Sequence, residues 1–140
     1  MKSKSVVLRF IRQARVGHMA TSTRKGIPHV IPICFAFDGR FIYTSIDQKP
    51  KRTEAMKLRR VLNITQNPEI SFIVDHYDED WRKLGYVIVR GKAEIMQTGK
   101  EHDHALFLLK RKYCQYRRMN LRNRPVIRIV PTKIAVWGQQ

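Results

Sequence analysis

The sequence predicts a small antiparallel β-barrel with helices packed on its outside. Three observations support this fold class: the chain has 140 residues, which is the length of one domain, its β-type segments are short, and tight turns connect most of them. With 43% hydrophobic residues, the composition is that of a globular protein. We therefore expect residues 1–140 to form a single, mainly β domain.

The first part of the chain is expected to contain one helix and three strands. Residues 5–14 place their apolar side chains on one helical stripe. Turn signals at Lys25-Gly26 and Asp38-Gly39 separate the strands that follow, at residues 17–24, 27–37 and 40–46. The strand at 27–37 is apolar on both alternating faces, so it needs a second cover besides the barrel core. Pro32 lies inside it and cannot donate to a strand ladder, which predicts a sheet edge.

The rest of the chain is expected to alternate helices with strand pairs. Thr53 is a candidate cap for a helix over 53–66, and Asn67-Pro68 ends it. Gly91 predicts a bend or bulge within a long strand. The remaining expected elements are strands at 69–75 and 84–98, a helix at 100–117, and two final strands at 125–130 and 133–137.

The charge is strongly positive and unevenly distributed. Lys and Arg number 28 against 11 Asp and Glu, which gives a net charge of +17. No acid follows Asp103, and cations are dense between residues 49 and 60, at Lys49, Lys51, Arg52, Lys57, Arg59 and Arg60. Such a field attracts nucleic acid, phospholipid or a phosphorylated cofactor, and charge alone does not choose among them.

Several functional classes find no support in the sequence. The two cysteines are far apart, which excludes a disulfide scaffold and favours a reducing, cytoplasmic location. No apolar run is long enough to span a membrane. Phosphate-binding glycine loops, serine hydrolase motifs and histidine clusters with metal-ligand spacing are also missing, so no metal site is expected.

One segment combines the groups that bind a phosphorylated ring. The doubly apolar strand is followed by a strand ending in the hydroxyls of Tyr43, Thr44 and Ser45, and then by the basic start of the next helix. Hydroxyl, ammonium and guanidinium groups are the donors that a phosphate ester requires. A planar heterocycle lying against the proline-containing edge would explain an apolar strand with exposed backbone.

Three segments carry a family resemblance. The succession HVIPICFAFDGRFIYTS, KLRRVLNITQNPEISFIVD and YVIVRGKAEIM resembles the FMN-binding split barrel of the pyridoxamine 5′-phosphate oxidase-like superfamily. The cationic 49–60 segment and the DHYDEDW stretch look most like its deazaflavin (coenzyme F420)-dependent subgroup. The resemblance runs from about Arg9 to Trp137. It implies a homodimer of six-stranded split barrels with two cofactors at the subunit interface.

The resemblance also implies which residues bind the cofactor. The ring would lie along the second strand, at Val30, Ile31, Pro32 and Ile33. The phosphate would be held by Thr44 and Ser45 together with cations and an amide around the next helix, namely Lys49, Lys51, Arg52, Lys57, Arg60 and Asn63. Ring contacts from the opposite subunit would come from Trp81 and Tyr86.

The expected function is that of an oxidoreductase that transfers a hydride between coenzyme F420, with FMN second, and a small conjugated substrate. Pyridoxamine phosphate oxidation is not expected, because Cys34 stands where the oxidase has a phosphate-binding lysine and the C-terminal Arg/His signature is missing. Two alternatives stay open. One is a nucleic-acid-binding barrel that uses Tyr113, Tyr116 and the neighbouring arginines, and the other is a flavin carrier or sensor without turnover.

Overall fold

The computed structural model describes residues 3–46 and 55–140, and it contains one antiparallel sheet with helices outside it. The strands are β1 (Gly17–Ser22), β2 (Pro28–Ile33), β3 (Ala36–Phe37), β4 (Ile42–Ser45), β5 (Glu69–His76), β6 (Gly85–Met96) and β7 (Val126–Gly138). The helices are α1 (Lys4–Gln13), α2 (Arg59–Gln66) and α3 (Lys100–Lys112), with 3-10 turns at Ala55–Lys57, Trp81–Lys83 and Cys114–Arg118. The predicted mainly β split barrel with flanking helices is confirmed. None of the described helices is long and apolar enough to cross a membrane.

The strand count and two boundaries differ from the expectation. The sheet has seven strands where the resemblance implied six. The single strand expected over 27–37 is divided into β2 and β3, because the chain changes its pairing partner from β1 to β4 at this point. The two expected final strands are instead one continuous β7 that pairs with β6 along its length. The predicted cap at Thr53 lies outside the described residues.

A two-residue connection closes the sheet. The strand order is β2-β1-β5-β6-β7-β4-β3, so β2 and β3 lie at opposite edges. Only Cys34 and Phe35 separate them in the chain. Two residues bridge about 11 Å at most. The sheet must therefore curl until its two edges approach each other, which produces the barrel.

Side chains provide the hydrogen bonds of this connection. The Thr44 hydroxyl donates to the Cys34 carbonyl oxygen at 2.7 Å. The Phe35 N–H donates to the Tyr113 hydroxyl at 3.1 Å. The single proton of this hydroxyl is shared between two acceptors, the carbonyl oxygens of Arg15 at 2.8 Å and Phe35 at 3.0 Å. Phe35 is fully buried, so its backbone has no access to water. Tyr113 thus replaces the strand partner that Phe35 lacks.

The predicted irregularity at Gly91 is confirmed as a bulge. The β6–β7 register shifts between Arg90 and Gly91, which pairs with Pro131, and Thr132 is the extra residue. A Cβ atom at Gly91 would collide with the Val130 carbonyl oxygen, so the close approach of the two backbones requires glycine here. Beyond the bulge, β7 leaves β4 and pairs with β6 alone among the described strands.

Two hydrophobic cores hold the helices. The larger fills the barrel and includes Val7 and Ile11 of α1 and Val61 and Ile64 of α2. The smaller lies beneath α3 and contains Leu109 and other α3 side chains. Burying a side chain of this size stabilises a fold by roughly 1.5–3 kcal/mol. The helices are therefore fixed by apolar packing against the barrel.

Ion pairs and caps also position α3. The Arg128 guanidinium donates to Glu101 of α3 at 2.7 Å and to Glu94 of β6 at 2.7 Å. The helix ends at Lys112, five residues earlier than expected, because Tyr113 turns inward to Phe35. The Arg117 guanidinium then donates to the carbonyl oxygens of Lys110 and Arg111, which terminates the helical hydrogen bonding.

The Tyr113 hydroxyl provides a test of the barrel closure. We expect Tyr113→Phe to lower the free energy of unfolding by about 1–3 kcal/mol, because the buried Phe35 N–H loses its acceptor. Tyr77→Phe is the matched control, since Tyr77 is 63% exposed. Urea denaturation measures both changes. Equal, small effects of the two variants would show that the connection does not depend on Tyr113.

Candidate functional site

The outward face of β2 is apolar and uncovered. Pro28, Val30 and Pro32 point away from the core, and Val30 is 64% exposed. Ile31 and Ile33 point inward, where Ile31 packs against the barrel core and Ile33 is buried. The predicted edge position of Pro32 is confirmed, since β1 is the only paired neighbour of β2 among the described strands. The second cover that the sequence demanded is thus not supplied by the described part of the same chain.

The two hydroxyls at the end of β4 differ in their bonding. Thr44 is buried, and its hydroxyl is occupied by the Cys34 carbonyl oxygen. The Ser45 Oγ is also buried but has no hydrogen-bond partner among the described residues. Unpaired buried hydroxyls are uncommon, and a bound water or ion is one way in which such a group is satisfied. The structure therefore singles out Ser45 as the available hydroxyl.

The cations and amide near the start of α2 also divide into two groups. Lys57 and Arg59 are exposed, and Arg60 is half-buried. Asn63 is 1% exposed, and its amide donates to the Thr21 hydroxyl at 3.0 Å, which ties α2 to β1. The Asn63 amide is thus engaged in a hydrogen bond within the chain. The predicted contributors Lys49, Lys51 and Arg52 lie outside the described residues.

The aromatic residues lie at the turn of the β5–β6 hairpin, where β6 begins and the paired strand β7 ends. Trp81 is 71% exposed on the turn before β6. Asp80 caps this turn, and its carboxylate forms an ion pair with Arg82 at 2.9 Å, which holds the pKa of Asp80 below its usual range. Tyr86 stacks on Trp137 with ring centroids 5.6 Å apart and planes 20° from parallel. The hairpin end is thus an ordered aromatic surface.

Tyr86 and the β2 edge are too far apart to contact one ring from the same chain. The register aligns Pro32 with His18 of β1, His18 with Ile73 of β5, and Ile73 with Ile88 of β6. Three strand spacings correspond to about 14 Å. Tyr86 lies two residues further along β6. Tyr86 and the β2 edge are therefore not neighbours within one chain.

The outer part of β7 is exposed on both faces of the sheet, with Trp137 on the face of Tyr86 and with Ile134 and Val136 on the opposite face. Ile134 and Val136 are each 40% exposed and Trp137 is 52% exposed. These side chains lie beyond the bulge, where β7 has no second strand neighbour among the described residues. Sequence reasoning did not single out Ile134 and Val136 as exposed. The run of four apolar residues in the segment KIAVW was the available signal, because it makes both strand faces apolar.

The aromatic groups of the nucleic-acid alternative are not available for stacking. Tyr113 and Tyr116 are 8% and 6% exposed and pack against each other beneath α3. Arg117 is engaged as a cap on the helix carbonyls. Base stacking needs exposed aromatic faces. This alternative therefore loses the aromatic residues on which it depended.

The contrast between Thr44 and Ser45 predicts opposite responses to mutation. Thr44→Val should lower the free energy of unfolding by about 1 kcal/mol, because the Cys34 carbonyl oxygen loses its donor. Ser45→Ala should leave it unchanged or raise it slightly, since an unpaired buried hydroxyl is removed. Thermal unfolding of the ligand-free protein measures both. A larger loss for Ser45→Ala would contradict the assignment of Ser45 as the available group.

Comparison with known proteins identifies the family of the chain and other proteins that share its fold. Residues 3–136 match the family model of pyridoxamine 5′-phosphate oxidase. No functionally curated protein matches the sequence. A conserved hypothetical protein from Mycobacterium tuberculosis has a similar structure, with a TM-score of 0.76 and 23% identity over 99% of this chain and 86% of that one.

Two further solved structures share the fold. HutZ, the heme storage protein of Vibrio cholerae, aligns with a TM-score of 0.71 and 12% identity over 99% of this chain and 95% of that one. A heme-binding protein from Mycobacterium smegmatis aligns with a TM-score of 0.75 and 16% identity over 99% of this chain and 55% of that one. At these identities the likeness concerns the fold alone. The family match, in contrast, covers nearly the whole sequence, and the chain belongs to the pyridoxamine 5′-phosphate oxidase family of split barrels.

Proposed function

We propose that this protein is an oxidoreductase that binds coenzyme F420, or FMN as the second choice, between two copies of the chain and acts on a small conjugated substrate. The observation that carries the proposal is the uncovered apolar face of β2, on which Val30 is 64% exposed. Pro32 leaves no N–H there for a further strand. A flat ring covers apolar surface without requiring that hydrogen bond.

The described residues fit the two ends of such a cofactor. Val30 and Pro32 offer an apolar surface to the ring, while Ile31 and Ile33 anchor the strand from inside. The Ser45 hydroxyl has an unused hydrogen-bonding capacity, and Lys57 provides an exposed ammonium group on the segment that follows. Thr44 contributes by fixing the Cys34 carbonyl next to β2. Charge-assisted hydrogen bonds are the strongest that a phosphate can form.

The number of cations favours the deazaflavin over FMN. Lys57 and Arg59 are exposed, and three more cations stand between residues 49 and 52 of the sequence. A single phosphate group needs fewer partners than this. Coenzyme F420 carries a phosphodiester and a polyglutamate tail, so its negative charge is spread over a longer region. A string of cations matches that distribution.

A second copy would complete the site. The aromatic surface of Tyr86 and Trp137, with Trp81 nearby, cannot reach the β2 edge of its own chain. Trp137 is 52% exposed, so this surface lacks a cover within the described residues. Aromatic and aliphatic side chains of this kind are enriched at the centres of protein interfaces. A homodimer that places this surface over the partner's β2 would bury both.

The chemistry would belong to the cofactor, which supplies hydride transfer when bound. The chain's own residues bind and orient it: β2 supports the ring, the start of α2 holds the charged tail, and the partner's aromatic surface excludes water. Excluding water strengthens the electrostatic interactions inside the site. No side chain is assigned a proton-transfer role.

An equilibrium titration with F420, FMN and heme tests the proposal. We expect F420 to bind most tightly and Lys57→Glu to weaken it about fivefold, since reversing one partly exposed charge is worth about 1 kcal/mol. Lys4→Glu makes the same charge change at an exposed position of α1 and should have little effect. Failure of both flavins to bind below millimolar concentration would overturn the proposal, and so would tighter binding of heme.

A turnover assay distinguishes an enzyme from a carrier or sensor. The reduced F420-loaded protein should reoxidise faster in the presence of a quinone such as menadione than free reduced F420 does. The absorbance of the deazaflavin reports the rate. Tight binding with no acceleration for any quinone or nitroaromatic acceptor would favour the carrier or sensor instead.

A further inference from the structure

A second pocket lies between α1, β3 and α3, and it shares no residue with the proposed flavin site. Its volume is about 370 Å³. Ala36, Phe37 and Leu108 give it an apolar floor, and Arg12 and Arg111 contribute two exposed cations to its lining. Lys112 also lines it, with its Nζ buried. Pockets of this size with an apolar floor and a few charged groups are typical of small-molecule sites.

The three cations lack acidic partners. Among the described residues, Arg12, Arg111 and Lys112 form no ion pair. The Arg12 guanidinium lies 5.9 Å from the centre of the Phe37 ring, and the Arg111 guanidinium lies 5.6 Å from that of Phe107. Cation–π contacts of this kind hold a guanidinium group in place while leaving most of its N–H donors unused. The two arginines are therefore oriented but electrostatically uncompensated.

Lys112 is the least compensated of the three. Its Nζ is buried, donates no hydrogen bond to the described residues, and lies 3.9 Å from the centre of the Phe35 ring. Burial and the nearby charge of Arg15 lower the pKa of Lys112 to about 8. The Arg15 guanidinium is fixed close by, because it donates to the Lys112 carbonyl oxygen at 2.8 Å.

The one acid in the lining does not neutralise them. One Asp38 oxygen accepts from the backbone N–H groups of Arg40 at 2.8 Å and Phe41 at 2.7 Å. The other lies 3.3 Å from Nε2 of His104. These bonds hold the Asp38 carboxylate within its own turn. The pocket thus combines a positive field with an apolar floor.

We propose that this pocket binds a small organic anion in which a planar apolar group carries a phosphate or carboxylate. The planar part would lie on Phe37 and Leu108, and the anionic part would meet the guanidinium groups of Arg12 and Arg111. Guanidinium groups suit phosphate and carboxylate because their paired N–H donors match two oxygens. A bound anion would also offset the mutual repulsion of Arg15 and Lys112.

Three probes test the contributions of the planar group and of the anionic group to binding. The full chain, free of flavin, is titrated calorimetrically with adenosine monophosphate, adenosine and inorganic phosphate at constant ionic strength. We expect adenosine monophosphate to bind more tightly than either of the others, because only it supplies both the planar group and the anion. Equal binding of adenosine, or of phosphate alone, would overturn the proposed ligand class.

Matched variants separate the pocket from the overall positive charge. Arg12→Gln and Arg111→Gln should each weaken adenosine monophosphate about tenfold, the loss of one charge-assisted hydrogen bond. Arg118→Gln removes the same charge from an exposed position outside the pocket and should change the affinity less than twofold. An equal loss in all three variants would show diffuse attraction and overturn the pocket. Circular dichroism confirms that each variant is folded.

Two further measurements test whether adenosine monophosphate binds in this pocket. The pKa of Lys112, followed by the NMR signal of its ε-carbon, should rise when adenosine monophosphate binds, and the rise should be lost in Arg12→Gln. Saturating F420 should leave the affinity for adenosine monophosphate unchanged. Competition between F420 and adenosine monophosphate would show that the nucleotide binds at the flavin site, and it would overturn the proposal. Failure of F420 to bind at all would count against the proposed function but not against this pocket.

Discussion

The barrel depends on a two-residue connection between strands at opposite edges of one sheet. Because Cys34 and Phe35 alone join β2 to β3, the seven strands must curl until the edges approach. The backbone groups at this corner cannot join a strand ladder, and the hydroxyls of Thr44 and Tyr113 bond them instead. Tyr113 stands at the end of α3, so the helix, the corner and the Arg15 carbonyl form one hydrogen-bonded unit. The position of α3 against the barrel follows from that unit.

The same closure leaves β2 with one face to solvent. A strand inside a closed barrel would be paired along both edges, whereas β2 pairs with β1 alone among the described strands and carries prolines at positions 28 and 32. These prolines prevent another strand from pairing, which protects the edge from aggregation. The apolar side chain of Val30 is then open to a non-strand partner. The proposed flavin site thus follows from the way the barrel closes, while the pocket between α1 and α3 lies on the other side of the corner, at β3.

The sequence was informative wherever one residue type has a single structural meaning. Gly91 predicted the bulge because only glycine tolerates the approach of the Val130 carbonyl, and Pro32 predicted the edge because it has no N–H. The break at Cys34 could not be predicted, since alternation of apolar residues does not reveal a change of pairing partner. The burial of Tyr113 and the end of α3 at Lys112 depend on a contact with Phe35, 78 residues away in the chain. The hydrogen bonds of the Thr44 and Asn63 side chains also depend on tertiary contacts, so the local sequence pattern does not reveal them.

Hydrogen–deuterium exchange with and without F420 tests the central claim most directly, because it reports where the cofactor lies without any mutation. If a ring occupies the β2 edge beneath a partner's aromatic surface, the amides of Val30 and Ile31 should exchange more slowly when F420 is bound. The amides around Tyr86 and Trp137 should slow with them, since the second copy supplies that surface. Protection confined to other regions, with β2 unchanged, would contradict the account.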